Sequence, residues 1–398
     1  MKFDPASKIQ DTWVFGEFGD VNPSITDSST FTFLSPETME ELFEHEKEGC
    51  FLYSRSFNPI NKFLCEALSA MEGTEAAHVT SSGMAAITSP ILQLCHTGDH
   101  IVSGWTIYGG TFAFLRNFAP RLGINTSFVD ITNMESVKAA MTNKTKIIYC
   151  ESISNPLMTV PDFQALADIA AQYGAVLMVD NTFSPMILSP HNYGADIVVY
   201  SMTKFINGSS DCVAGAICST KERILNLMDV NSGACMLLGP VLDSLRAASI
   251  LKNLHTLHIR MKQHSANGLY LATALRDRGV KVFYPGLPEH PQHQLMKKMM
   301  NEQFGFGGML AFDVGSAKRA NRLMVMMQEA KVGYLAVSLG YFKTLFSAPA
   351  HSTSSEIPEE VQKQMGLSDG IVRLSVGLDN DIKRIAERIN DCLDRLDA

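Results

Sequence analysis

Four short apolar runs, each ending in polar or glycine residues, narrow the possible folds more than any other feature of the chain. They are Ala77-His78-Val79 ahead of Thr80-Ser81-Ser82-Gly83, Ile147-Ile148-Tyr149 ahead of Glu151, Val176 to Val179 ahead of Asp180, and Ile197 to Tyr200 ahead of Ser201. Helical stretches separate them between about Asn58 and Thr220. Strand-like runs alternating with helices predict an α/β fold, a mostly parallel central sheet with helices on both faces. Ligands of such sheets bind at the carboxyl ends of the strands, so the four polar endings are expected to share one crevice.

The flanking segments read differently. The first fifty residues are polar, with Thr26-Asp27-Ser28-Ser29-Thr30 and a charged stretch from Glu40 to Glu48. They are poor core formers and suit an arm packed against a partner. Beyond about residue 221, amphipathic helical patterns over Glu222 to Met228, Leu242 to Leu257 and His264 to Arg278 lead to a smaller α+β C-terminal domain. Its last helix is expected from Asn380 to Leu396, with Ile382, Ile385, Ile389, Cys392, Leu393 and Leu396 on one face. The expected divisions are an arm over 1–57, a ligand-binding domain over 58–245 and a C-terminal domain over 246–398.

A net charge of -8 without a long basic run leaves no electrostatic footprint for nucleic acid or an anionic membrane. No run approaches the roughly 18 apolar residues of a membrane span. The residues from Met1 to Gln10 carry no apolar signal core. Eight cysteines lie scattered without CxxC or Cys/His metal spacing and read as reduced core residues, with no metal site. A cytoplasmic enzyme acting on a small molecule fits these constraints.

Chemistry gathers at the strand ends. In Tyr200-Ser201-Met202-Thr203-Lys204, a lysine follows a buried strand with two hydroxyls close before it. In an apolar crevice its amine loses charge readily and attacks an aldehyde, while the hydroxyls donate to a phosphate; a solvated loop lysine would look the same. Asp180 ends an apolar run and is costly to bury without a cation, a need that a protonated pyridine nitrogen meets. Capping of the Asn181-Thr182 turn is the plainer alternative. Ser81-Ser82-Gly83-Met84 opens a helix whose free N–H groups suit a phosphate, or is a simple N-cap. Tyr108 offers a ring to stack and a phenol for proton transfer, and the following Gly109-Gly110 allows close backbone approach; a core tyrosine is the alternative. Arg373, alone in the apolar run Ile371 to Val376, suits a substrate carboxylate or a structural ion pair. Together these residues describe a site for pyridoxal 5'-phosphate (PLP) and an amino acid.

With these motifs assembled, the chain resembles the Cys/Met-metabolism family of PLP enzymes from about Thr30 to Leu396. The likeness rests on Tyr53-Ser54-Arg55 with Asn58-Pro59, Ser82-Gly83-Met84, Ile107 to Thr111, Glu151-Ser152 with Asn155-Pro156, Val179 to Thr182, Ser201 to Lys204, Ser338-Leu339-Gly340 and Arg373 to Gly377. It implies the aspartate-aminotransferase-like fold (fold type I) and a homotetramer, a dimer of dimers, with active sites shared between subunits. It further implies that Tyr53 and Arg55 reach the neighbouring subunit's cofactor phosphate, that Gly83, Met84, Ser201 and Thr203 hold the phosphate in cis with Ser82 also binding the cofactor, and that Asp180 pairs with the pyridine nitrogen. Asn155 is implied near the ring hydroxyl, and Ser338 with Arg373 at the substrate carboxylate. Lys204 carries the cofactor and moves protons; Tyr108 stacks on the ring and serves the leaving group.

Within the family, the segments Gly233 to Pro240, Tyr284 to Leu287 with His290-Pro291-Gln292-His293, and Ser352 to Glu356 are most similar to plant-type methionine γ-lyases. That resemblance implies γ-elimination from methionine. Other γ-lyases, γ-replacement as in cystathionine γ-synthase or O-acetylhomoserine sulfhydrylase, and a PLP-binding protein without catalysis are the alternatives. Two positions depart from many relatives near the expected substrate γ-group. Gly110 stands where many bacterial methionine γ-lyases have cysteine. Lys343 stands where most relatives place glutamate, and its charge would favour an anionic distal group.

Overall fold

The computed structural model describes residues 3–13, 19–33, 35–44, 50–349 and 368–397. The Ser352 to Glu356 motif lies outside them. All four anticipated strands form, as β1 (Ala76–Thr80), β4 (Thr145–Glu151), β5 (Val176–Asp180) and β6 (Ile197–Ser201). With β2 (His100–Gly104), β3 (Asn125–Val129) and β7 (Gly215–Ser219) they make a seven-stranded sheet in the order β1-β7-β6-β5-β4-β2-β3. Only β7 runs antiparallel to its neighbours, so the carboxyl ends of the other six strands face one edge.

Both faces of this sheet are covered. Along β6, Val198 and Tyr200 enter one core with Ile60, Leu64 and Leu68 of helix α1 (Pro59–Glu72). Ile197 and Val199 enter the opposite core with Ile87 and Ile91 of helix α2 (Gly83–Leu94). Two-residue alternation in a strand buried on both sides appears in sequence as one continuous apolar run. Helix boundaries follow local chemistry. Asn58 caps α1 with its side chain on the Ile60 N–H, Pro59 sits in the first turn where its missing N–H costs nothing, and Gly73 closes the end at φ 86°.

A second sheet of five strands follows the order β10 (Tyr334–Leu335), β11 (Leu345–Ser347), β12 (Ile371–Ser375), β9 (Met309–Asp313) and β8 (Lys281–Phe283). Its pairs are antiparallel except β10 with β11. Helix α3 (Ser244–Leu254) packs Ile250, Leu251 and Leu254 into the first core. The long helix α4 (Leu257–Asp277) spans both regions, with Met261 in the first core and Leu271 and Leu275 in the second. Helix α5 (Ile382–Asp397) buries Ile385, Ile389, Cys392, Leu393 and Leu396 against the second sheet, the face anticipated for the last helix, with Ile382 partly buried at its start. Seven of the eight cysteines are buried; Cys50 is half-exposed and so is not the core residue expected of it. Among the described residues, no helix is long and apolar enough to cross a membrane.

Candidate active site

A cavity of about 450 Å³ opens at the carboxyl edge of the large sheet, lined by the start of α2, the ends of β4, β5 and β6, and Arg373 of the second sheet. Ser82, Gly83, Met84, Tyr108, Gly110, Asn155, Asp180, Ser201, Thr203, Lys204, Ser338 and Arg373 all line it. Distant residues are brought together because Ser338 and Gly340 approach Lys204 and Phe205 after β6, while Arg373 of β12 reaches Asn155 after β4.

Lys204 follows β6 and its Nζ donates to Ser338 Oγ at 3.1 Å. Burial, followed by the nearby Arg373 charge, lowers its pKa, which raises the share of the nucleophilic neutral amine. Asp180 at the end of β5 is buried. Burial raises its pKa, the hydrogen bonds from Thr182 lower it, and no cation is among the groups acting on it. Thr182 donates to Asp180 Oδ1 from its backbone N–H at 3.0 Å, so the turn-capping role weighed for Asp180 exists beside the site role. The Thr182 hydroxyl oxygen also accepts from the Ser201 N–H at 2.8 Å, tying the ends of β5 and β6 together.

The opening of α2 is tightly built. Ser82 caps the helix by accepting from the Ala85 N–H at 3.1 Å. A Cβ added at Gly83 would stand 2.7 Å from Ser201 Cβ, so only glycine allows the helix start to touch the end of β6. Thr203 uses its hydroxyl to bridge to Ala214, accepting from its N–H at 3.1 Å. The Tyr108 ring is 45% exposed over the cavity mouth and lies against Gly110, where an added Cβ would come 2.6 Å from Tyr108 Cε1.

Arg373 on β12 is fully buried and donates to Asn155 Oδ1 at 3.1 Å and Ser347 Oγ at 3.3 Å. Its Nε has no hydrogen-bond partner among the described residues. Of the two roles weighed for Arg373, the structural ion pair does not form among the described residues: neither hydrogen bond goes to a carboxylate, and Glu151 acts on the guanidinium only through its charge. An unpaired guanidinium donor in a buried cavity suits an incoming anion.

Three expected residues lie elsewhere. Tyr53 and Arg55 do not line this cavity; Arg55 donates to the Met236 carbonyl at 3.0 Å and packs over the Tyr53 ring. Lys343 is also outside it, with Nζ on Tyr334 Oη at 2.8 Å and against the Phe342 ring. The structure therefore does not place the Lys343 charge among the groups lining the cavity of its own chain. One lining residue was quoted above without a role. Glu151 ends β4 as Asp180 ends β5, in register with it; a carboxylate closing a buried strand was the same signal in both places.

These residues fit PLP. Asp180 is a buried carboxylate with no cation, Lys204 is an amine pushed toward neutrality, and the Gly83 helix start supplies free N–H groups at the cavity wall. Residues 10–394 match the Cys/Met metabolism PLP-dependent enzymes. The chain belongs to that family. It is a PLP-dependent enzyme, and its relatives are lyases. It is 45% identical to the methionine gamma-lyase of Arabidopsis thaliana, over 94% of this chain and 86% of that protein. It is 37% identical to an L-methionine gamma-lyase of Fusobacterium nucleatum subsp. polymorphum over 91% of each. A cystathionine gamma-lyase of Dictyostelium discoideum is 35% identical over 95% of this chain and 94% of that one. Among solved structures, an O-acetylhomoserine (thiol)-lyase of Campylobacter jejuni carrying a pyridoxyl-lysine phosphate superposes with TM-score 0.90 at 26% identity, covering 98% of this chain and 100% of that one. The fold is thus that of this PLP family, as the sequence motifs implied.

Proposed function

We propose that the enzyme is a methionine γ-lyase, converting L-methionine to methanethiol, 2-oxobutyrate and ammonia as a cytoplasmic homotetramer. The observation carrying this reading is the cavity itself, where Lys204, Asp180 and the unpaired Arg373 Nε meet beside an apolar wall. That wall includes Ile87, Ile153, Phe183, Val213, Val337 and Leu339. Among the described lining residues, the carboxylates are Glu151, held by two backbone N–H groups, and Asp180, held by Thr182. Glu151 is taken up by those N–H groups and Asp180 is assigned to the pyridine nitrogen, so in this reading no lining carboxylate is left for a second substrate ammonium, as cystathionine would need. An uncharged thioether meets apolar contacts and no unpaired charge.

Each residue has a role in this reading. Arg373 and Ser338 orient the substrate carboxylate. Gly83, Met84, Ser201 and Thr203, with Ser82 beside them, would hold the cofactor phosphate, and Asn155 would lie near the ring hydroxyl. PLP, when bound, supplies the electron sink that makes the substrate Cα–H acidic. Asp180 keeps the pyridine nitrogen protonated by offering it a buried counter-charge. The Lys204 amine, held by Ser338 and pushed toward neutrality, would take the substrate Cα proton and return protons along the substrate. Tyr108 at the cavity mouth gives its phenolic proton to the departing γ-sulfur. Tyr53 and Arg55 act on the phosphate of the neighbouring subunit, which accounts for their absence from their own chain's cavity.

A second reading, γ-replacement on an O-acylhomoserine, is favoured by the similarity in fold to the Campylobacter thiol-lyase. The two separate in one assay. The enzyme is offered methionine, cystathionine and O-acetylhomoserine, each with and without added thiol, and both 2-oxobutyrate, the product of elimination, and the new thioether amino acid, the product of replacement, are measured. Methionine is expected to give 2-oxobutyrate with the highest kcat/KM, and Lys204→Ala to lose both turnover and the visible absorbance of lysine-bound PLP. Turnover confined to O-acetylhomoserine plus thiol would replace this reading with the second.

A further inference from the structure

Glu151 is a buried carboxyl in the cavity for which the proposed chemistry has no step. Its two oxygens face two different segments. Oε1 accepts the backbone N–H of Tyr108 at 2.6 Å, and Oε2 accepts the backbone N–H of Asn155 at 3.2 Å. Tyr108 has no side-chain cap at the start of its short helix (Gly109–Ala113), so this contact fixes where the chain enters it. Asn155 in turn takes the Arg373 guanidinium on its side-chain oxygen at 3.1 Å. A continuous path therefore runs from the Tyr108 backbone through Glu151 and Asn155 to Arg373.

The two ends of this path are the groups assigned to the two ends of the substrate. Arg373 fixes the α-carboxylate, and Tyr108 meets the γ-substituent. Proton transfer requires the phenol to stand at hydrogen-bond reach from a sulfur whose place is set by Arg373. A misplacement of about 1 Å costs on the order of 100-fold in rate. We propose that Glu151 is a positioning residue that sets Tyr108 at a fixed distance from Arg373, and that it acts on the departing group through Tyr108 alone. The proposal rests on the role assigned to Tyr108 above.

The chemistry demands a carboxyl here. Both oxygens accept from N–H donors, and an amide has one acceptor oxygen and one donor nitrogen. Whichever way glutamine turned, its NH₂ would face the N–H of Tyr108 or Asn155, and that segment would shift. Burial and the adjacent Asp180 carboxylate raise the Glu151 pKa, while the two N–H groups and Arg373 pull it down.

A double-mutant cycle on the PLP-loaded enzyme tests this, because coupling isolates action through a shared partner. Glu151→Gln is expected to lower kcat on methionine on the order of 100-fold with KM within about threefold. It should also change the visible circular dichroism of bound PLP. In a Tyr108→Phe background the same change should cost less than about threefold further. Equal losses in the two backgrounds, or an unchanged kcat for Glu151→Gln, would overturn the proposal. If Tyr108→Phe alone kept wild-type kcat, the assignment of Tyr108 would fail first. Should Glu151→Gln not yield folded protein, Glu151→Asp keeps both acceptor oxygens on a shorter arm and supports the same cycle. A loss that disappears in the Tyr108→Phe background supports the proposal; one that persists overturns it.

Discussion

Replacing Glu72 by Gln should flatten the dependence of stability on pH. Glu72 is the last residue of α1, with no exposed surface. Tyr200 donates its phenol to one carboxyl oxygen and the His191 N–H donates to the other at 3.0 Å. Asn181 continues the network, donating from Nδ2 to Tyr200 Oη at 2.9 Å and to the Leu188 carbonyl at 2.8 Å. Burial pushes the carboxyl up to about 8 against these donors, and no cation opposes it. Between the ordinary value of 4.5 and about 8, the folded protein keeps a proton that the unfolded chain has released. Rising pH then favours unfolding, by about 1.4 kcal/mol per unit. Stability from this group is whole below pH 4.5 and falls until about pH 8.

From pH 5.5 to 7.5 the loss is about 3 kcal/mol. An unfolding entropy of ~2.1 cal/mol/K per residue turns that into about 3 °C in Tm for a chain of 398 residues. Glutamine does not titrate, but its NH₂ must face Tyr200 or His191, so Glu72→Gln should start less stable at pH 5.5 by roughly 1–3 kcal/mol. It should then gain on the wild type as pH rises. His78, His264 and His290, each lowered by burial to about 4, drive stability the other way between about 4 and 6.5. They are common to both proteins and cancel in the difference. The assay is differential scanning at one scan rate across this pH range. A Tm difference constant within about 1 °C would show that Glu72 is already ionised and that the donors outweigh burial.

Three further outcomes follow from the site. Gly110→Ala places a methyl group 2.6 Å from Tyr108 Cε1 and 3.3 Å from Met84 Sδ, so the ring must move; kcat on methionine should fall roughly tenfold or more, on the scale of an active-site misplacement, and an unchanged kcat would show that Tyr108 has room to yield. Arg55→Ala and Lys204→Ala should each be inactive alone and regain activity when subunits are exchanged, because one mixed dimer site is then intact; no recovery in demonstrated hybrids would place Arg55 in cis. Lys343→Ala should leave the ratio of kcat/KM for O-succinylhomoserine and methionine within about threefold, since Lys343 rests on Tyr334 outside the cavity; a larger shift would return the charge to the substrate.

Four strands of the large sheet were legible because they are buried on both faces, which writes each as an apolar run; β2 and the partly exposed edge strand β3 were not. β7 was not, although Gly215 to Ser219 is as buried as β6. Its glycine start and short apolar run, Ala216 to Cys218, hid an antiparallel strand inserted between β6 and β1. Lys204, Asp180 and Arg373 were legible from the cost of burying a charge, which an isolated sequence already shows. Glu151 carried the same signal and was passed over, because only the register between β4 and β5 shows that two carboxylates stand side by side. Lys343 failed in the opposite direction. Its position along the chain is close to Ser338, yet where its ammonium goes is decided by the ring of Tyr334, nine residues away and on the neighbouring strand β10. Charge at a strand end is therefore readable from sequence when burial leaves the side chain one direction to point. On an exposed loop the side chain chooses among partners, and the nearest aromatic ring outweighs proximity in sequence.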